Sequence, residues 1–344
     1  MVLSTRQLQI LEAIITDYIQ TAEPIGSRTI AKKAGLGISS ATIRNEMSDL
    51  EELGLISQPH TSAGRVPSGL GYRLYVDTMM PHSQLDSDIA LFLQKMIIEN
   101  IHQVEFMMQE TAKALSWLTG CPAIVSEPYL KKTKIRHLQL VPMDEKSILL
   151  VLVTGTKAVK TQAVSIKAPP DYENLNRLSV LLNANLSGLS IHEIDRELID
   201  KLLGSFEKFA HILMPILGAI SDIIQAEDDV RIFTSGVKNI LNFPEFADIR
   251  RAEVLFHALE DRTTLQEILE SDPNEKGVQI LIGDENSVEI LKSCSLIRAS
   301  YTLDNANRGS IAIIGPMRMD YGRAVSVIVG VLQNMQRVKH ALEM

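Results

Sequence analysis

The chain has 344 residues, 45% of them hydrophobic and 22% charged, which suits one to three ordinary cores and excludes a disordered protein. Its 42 acidic and 34 basic side chains leave a formal net charge of -8, which excludes indiscriminate coating of nucleic acid or anionic lipid by bulk positive charge. The only two cysteines, Cys121 and Cys294, exclude a disulfide framework or a zinc ribbon and read as inert core residues.

In chain order, Leu8, Leu11, Ile14, Ile15, Tyr18 and Ile19 repeat at helical spacing behind a Ser4/Gln7 capping box. A Pro24-Ile25-Gly26 break and the expected cap Ser27 precede a short second helix ending near Gly35. A third follows Ser39 or Ser40, with Ile43, Met47, Leu50 and Leu53 on one face and Gly54 as its stop. Leu55-Ile56-Ser57-Gln58, a small-residue turn from His60 to Arg65, and Val66-Pro67 then read as a β-ribbon. One long helix is expected over 85–118, followed by a three-strand meander (135–141, 148–153, 158–166) and helices at 171–184, 190–203 and 205–225. Strands are expected at 230–234, 278–283, 295–302 and 310–316, with helices between the first two and a closing helix over 320–340.

The longest stretch without Asp, Glu, Lys or Arg is Leu178 to His192, 15 residues with a His and several Asn and Ser, so no membrane span is expected. The first residues lack the order of a signal peptide, and a cytoplasmic protein is expected. Phosphate-loop, zinc-helix and nucleophile-elbow motifs are absent, and the eight His are scattered. Neither an enzyme nor a cofactor or metal site is expected.

Three helices and a β-ribbon within about 70 residues are the order of a winged helix-turn-helix, whose third helix enters the DNA major groove. Residues 1–80 hold seven basic and eight acidic side chains, but they are sorted. Arg28, Lys32, Lys33 and Arg44 occupy 24–45 without an acid, Arg65 and Arg73 occupy 54–76 likewise, and Glu46, Asp49, Glu51 and Glu52 gather late in helix three. Ser40 and Thr42 suit phosphate oxygens, as do the amides of a helix N-terminus, and Ser27, Arg28 and Ser39 stand with them in the expected DNA-binding set. Arg44 can chelate guanine and Asn45 adenine, while Ala41 and the Thr42 methyl can meet a thymine methyl. In the wing, His60, Thr61, Ser62, Gly64 and Arg65, then Arg73, complete the expected DNA-binding set, with Gly64 giving close backbone approach and Arg65 at the tip.

The runs Glu23-Pro24-Ile25-Gly26-Ser27-Arg28, Ala41-Thr42-Ile43-Arg44-Asn45-Glu46-Met47, Asp49-Leu50-Glu51-Glu52-Leu53-Gly54, Gln58-Pro59-His60-Thr61-Ser62-Ala63-Gly64-Arg65-Val66-Pro67, Gly71-Tyr72-Arg73 and Tyr75-Val76-Asp77 resemble the bacterial heat-inducible transcription repressor HrcA family. The resemblance is dense over 3–77; Gly69, where a polar residue is expected, is the departure. It implies a multidomain α+β chain: a winged helix over 1–80, a GAF-like α/β domain over 81–130 and 228–344, and an inserted α+β dimerisation domain over 131–227. It also implies a homodimer on an inverted-repeat operator in double-stranded DNA ahead of chaperone operons, released by heat, with chaperonin as modulator. The alternative is a winged-helix regulator whose GAF-like domain senses a small molecule; the apolar strands at 278–316 favour a plain core instead.

Overall fold

Local caps shape the first helices of the computed structural model, which describes residues 3–33, 35, 37–60, 63–81, 85–100, 103–128, 134–155, 159–166, 170–190, 193–194, 196–205, 210–227, 230–270, 277–303 and 308–343. α1 (Thr5–Thr21) begins at Ser4, whose hydroxyl accepts from the Gln7 amide while the Gln7 side chain accepts from the Ser4 amide. α2 (Ser27–Lys33) is short, and α3 (Ser40–Glu52) starts from the Ser39 cap. α3 stops at Gly54, whose φ of +72° a side chain would resist. The Gly54 amide reaches the Glu51 carbonyl and the Leu55 amide the Leu50 carbonyl, with Leu50 and Leu55 both buried, a Schellman ending. β1 (Ile56–Ser57) and β2 (Val66–Pro67) pair antiparallel as the wing. α4 (Gly69–Thr78) is capped by Ser68, which accepts from the Gly71 amide, so Gly69 does not delay the helix.

The single helix expected over 85–118 is two, α5 (Ser87–Glu99) and α6 (Val104–Thr119). The Asn100 side chain donates to the Met96 carbonyl at 2.7 Å, closing the last turn of α5 locally. α6 ends at left-handed Gly120, and β3 (Ala123–Ser126), a strand absent from the expected set, follows.

Two compact units are present: Met1–Pro128 with Ile232–Asn305 and Gly309–Met344, and Tyr129–Arg231 with Ala306–Arg308. In the second, β4 (Ile135–Asp144), β5 (Ser147–Thr154) and β6 (Val159–Ser165) form an antiparallel meander in that order. α7 (Tyr172–Leu186) lies along the free edge of β4. Its Asn183 side chain accepts from the Leu138 amide and donates to the Leu138 carbonyl, and its Ser179 hydroxyl accepts from the Leu140 amide. This satisfies a strand edge that would otherwise recruit another strand. α8 (Arg196–Ser205) starts later than the expected 190, where the Ser190 amide and hydroxyl both donate to the Glu193 carboxylate in a separate turn. α9 (Ala210–Glu227) adds Ile212, Ile216, Ile220 and Ile224 to a core shared with Leu150 and Leu178.

Returning to the first unit, β7 (Ile232–Ser235) leads through 3-10 segments Val237–Asn242 and Pro244–Phe246 to α10 (Ile249–Glu260) and α11 (Arg262–Leu269). β8 (Val278–Ile282), β9 (Cys294–Thr302), β10 (Arg308–Pro316) and α12 (Tyr321–Glu343) complete the chain. The five-stranded sheet has the order β7-β3-β10-β9-β8. Period-two alternation splits its side chains between two cores. Ala123, Val125, Ile297, Ile311 and Ile313 join the cluster containing α5, α6 and α12, while Ile124, Leu296, Ala312 and Ile314 join that of α10 and α11. Of the apolar strand residues, Ile282, Leu296, Ile311, Ile313 and Ile314 are buried in these cores, and Ile280 and Leu281 pack half-buried against them.

Candidate nucleic-acid interface

Along α3, Ile43, Met47 and Leu50 are buried, which turns Ala41, Arg44, Asn45 and Ser48 outward at helical spacing. Ser39 holds the start of this face: its hydroxyl accepts from the Thr42 amide at 3.1 Å and lies 2.9 Å from the Thr42 hydroxyl. Ser40 and Thr42 are half-buried beside it. α2 packs on α3 and brings exposed Arg28 and Lys32 to the same module. Among the described residues, Arg28, Lys32 and Arg44 have no ion-pair partner, so their charges are available to an anion. Ser48 and Lys32 were not in the expected set. Ser48 lies two turns beyond Ala41, so extending the helical period would have found it.

Two of the later acids of α3, Glu46 and Glu51, are paired from within the domain. Arg6 pairs with Glu46 at 3.3 Å, and Arg65 holds Glu51 through Nη2 at 2.7 Å and Nε at 2.9 Å. Lys33 pairs with Asp17 at 2.5 Å.

The structure sets four of the expected residues against the protein itself. Ser27 is 8% exposed as the first residue of α2, with Gly26 supplying the carbonyl that starts the helix, so Ser27 is not its cap. Arg65 lies at the base of the wing: its amide and carbonyl bridge Ile25 at 2.9 and 3.0 Å, and its side chain is 22% exposed. The close approach allowed by Gly64 is to the protein's own backbone, because a Cβ there would lie 2.5 Å from the Ile25 carbonyl carbon and oxygen. Arg73 is engaged elsewhere: its Nε donates to Glu285 at 2.8 Å, its Nη1 to Asp77 at 3.2 Å and its Nη2 to the Ile280 carbonyl at 2.5 Å. The Glu285 hydrogen bond raises the Arg73 pKa; at Glu285, burial is outweighed by Arg73 and the Ile282 amide, which hold the carboxyl below its ordinary value.

The wing tip is closed by the Ala63 amide on the His60 carbonyl at 2.8 Å and braced by Gln58 donating to the Ala63 carbonyl at 3.0 Å. His60 is exposed there, and Thr61 and Ser62 lie outside the described residues. The structure therefore groups Arg28, Ser39, Ser40, Ala41, Thr42, Arg44 and Asn45 on the helix-turn-helix, with His60 at the wing. Among the described residues, no cluster of His, Cys, Asp and Glu could hold a metal, and no helix is long and apolar enough to cross a membrane.

The family model described as the winged helix-turn-helix transcription repressor, HrcA DNA-binding, matches residues 2–78, and that of the HrcA protein C terminal domain matches 105–325. The heat-inducible transcription repressor HrcA of Lachnoclostridium phytofermentans is 41% identical over 331 residues, 95% of each chain. Those of Clostridioides difficile and Desulforamulus reducens are 40% and 39% identical, covering 95% and 98% of this chain and 97% of each of theirs. A crystal structure of a hypothetical protein shares the fold with a TM-score of 0.57 at 22% identity, over 99% of both chains. With its winged-helix DNA-binding module and this full-length similarity, the chain belongs to the HrcA family of heat-inducible transcription repressors.

Proposed function

We propose that the protein acts in the cytoplasm as a homodimer on an inverted-repeat operator in double-stranded DNA ahead of chaperone operons, blocking transcription until heat stress releases it. The observation that carries this reading is the outward face of α3, where Ala41, Arg44 and Asn45 stand in helical register beside unpaired Arg28. Arg44 and Asn45 read bases, Arg28, Ser39, Ser40 and Thr42 position the helix on phosphates, and His60 to Gly64 present the wing. Gly64 and Arg65 shape the wing from its base.

In this reading residues 1–80 bind DNA, 81–130 with 228–344 form a GAF-like domain, and 131–227 form an inserted dimerisation domain. Support for dimerisation through the insertion is its exposed apolar side chains on α7 and α9, Val180, Leu181 and Met214, in a segment without catalytic motifs. Pairing two modules raises the effective concentration of the second contact once the first is made. Chaperonin assists the repressor, and its diversion to unfolded protein contributes to release. The test is operator titration with and without chaperonin across temperature, alongside sedimentation. A dimer whose operator occupancy falls on heating and is restored by chaperonin is expected; a monomer that binds operator tightly, or occupancy indifferent to both heat and chaperonin, refutes the reading.

A further inference from the structure

We infer that Arg73 and Arg318 are positioning residues that clamp the winged helix to the α/β body and so set the half-site spacing that the repressor accepts. This rests on the dimeric operator reading above. A dimeric helix-turn-helix protein engages two half-sites at a separation fixed by its own geometry, and the gain from the second contact vanishes if both cannot be reached together. Spacing is therefore selective only when the path from each recognition helix into the rest of its subunit is stiff. That path crosses the junction of α1 and α4 with the body, inside one compact unit.

Two arginines brace this junction from opposite sides. Arg73 reaches out of α4 to Glu285 with two nitrogens and to the Ile280 carbonyl at 2.5 Å. Arg318 reaches from the turn before α12 to the Ile19 carbonyl in the last turn of α1 at 3.0 Å and to Glu245 at 2.5 Å. Its guanidinium also lies 5.7 Å from the centroid of the Phe243 ring. The two side chains are 26% and 11% exposed, and planar guanidinium groups held by several acceptors fix direction as well as distance.

Between the arginines, the Tyr72 ring meets that of Tyr321 at 6.0 Å, and the Tyr321 hydroxyl lies 2.7 Å from the Ser295 hydroxyl. Tyr72 Oη and Glu245 Oε2 are buried without a hydrogen-bond partner among the described residues. Among the described residues, the polar grip on this junction falls to Arg73 and Arg318. Their partners among the described residues, Glu285, Asp77, Ile280, Ile19, Glu245 and Phe243, all lie outside the recognition helix and the wing.

The test uses the full chain with Arg73→Ala, Glu285→Gln, Arg318→Ala and Arg318→Lys. Each is titrated against one half-site, the natural operator, and an operator with about five base pairs inserted, which turns the half-sites to opposite faces. The unaltered protein is expected to lose roughly 100-fold or more in affinity on insertion. In the variants that penalty should shrink by about tenfold or more while half-site affinity stays within about twofold. Glu285→Gln is decisive because Glu285 lies on the body, and it and Arg318→Lys keep side-chain size where an alanine variant fails to fold. Folded variants that retain the full penalty overturn the clamp, as does a loss of half-site affinity in Arg73→Ala that Glu285→Gln does not share. Absence of any penalty in the unaltered protein instead removes the dimeric reading beneath it.

Discussion

Replacing Gly64 by alanine probes the wing where the structure is least forgiving. The added Cβ would lie 2.5 Å from the Ile25 carbonyl carbon and oxygen and 2.8 Å from its nitrogen, all backbone atoms that cannot rotate aside. Relief requires opening the Ile25–Arg65 bridge, with its hydrogen bonds of 3.0 and 2.9 Å, and displacing the Arg65–Glu51 ion pair that follows it. Two backbone hydrogen bonds at about 0.5–1.5 kcal/mol each place the local loss near 1–3 kcal/mol, the same range as overpacking a well-filled core. Amide exchange at Ile25 and Arg65 should therefore quicken by about 5- to 150-fold, with weaker operator binding as the wing loosens. Gly69→Ala is the control: nothing lies within 4 Å of its Cβ, and the position is helical, so it should be neutral or stabilising by up to about 1 kcal/mol. Unchanged exchange at Ile25 and Arg65 in Gly64→Ala would refute the steric argument.

Other perturbations separate the roles along the same domain. Ser39→Ala removes the cap of α3 and should cost about 1 kcal/mol locally, seen as roughly fivefold faster exchange in its first turn; unchanged exchange would count against the cap. Arg44→Ala and Asn45→Ala should each lose about 1–3 kcal/mol of discrimination between operator variants, whereas Arg28→Ala should weaken all sequences alike and lower the salt slope by about one. Equal losses on random DNA from all three would argue against base readout. Burial pushes the Cys121 thiol up to about 12 and the Cys294 thiol up to about 11, so both should resist alkylation at pH 8 until the protein unfolds. From their ordinary value of 9.0 upward to those values, mainly unfolded chains ionise these thiols, so their contribution to stability declines as pH rises through that window. Rapid labelling of either thiol in folded protein would contradict their burial.

The helix-turn-helix was legible because its signals are local: a capping box at Ser4, a cap at Ser39, a stop at Gly54 and a period that carries Ile43, Met47 and Leu50 inward. The same period ran on through Ile101 and hid the break that Asn100 makes between α5 and α6. β3 carries no strand signal in the sequence because all four residues are buried and show no polar alternation, in a strand short enough to pass for a helix end. In the site, Ala41, Arg44 and Asn45 could be placed by helical geometry alone, whereas Arg65 and Arg73 could not. Their orientation is decided by Glu51 and Glu285, 14 and 212 residues away in the chain, and charge sorting along a sequence cannot choose between an anion in DNA and a carboxylate in the protein. Gly64 shows the same limit: the need for close approach was readable, but not that Ile25 is the backbone approached.

The most direct test of the account is a hydroxyl-radical footprint of the full chain on the DNA upstream of the host's chaperone operon, repeated with Arg44→Ala. Two symmetry-related protected patches, centred on an inverted repeat and separated by a whole number of helical turns, are expected, with both fading together in the variant. Protection without symmetry, or a pattern that Arg44→Ala leaves untouched, would contradict the claim that the exposed face of α3 reads an operator from a dimer.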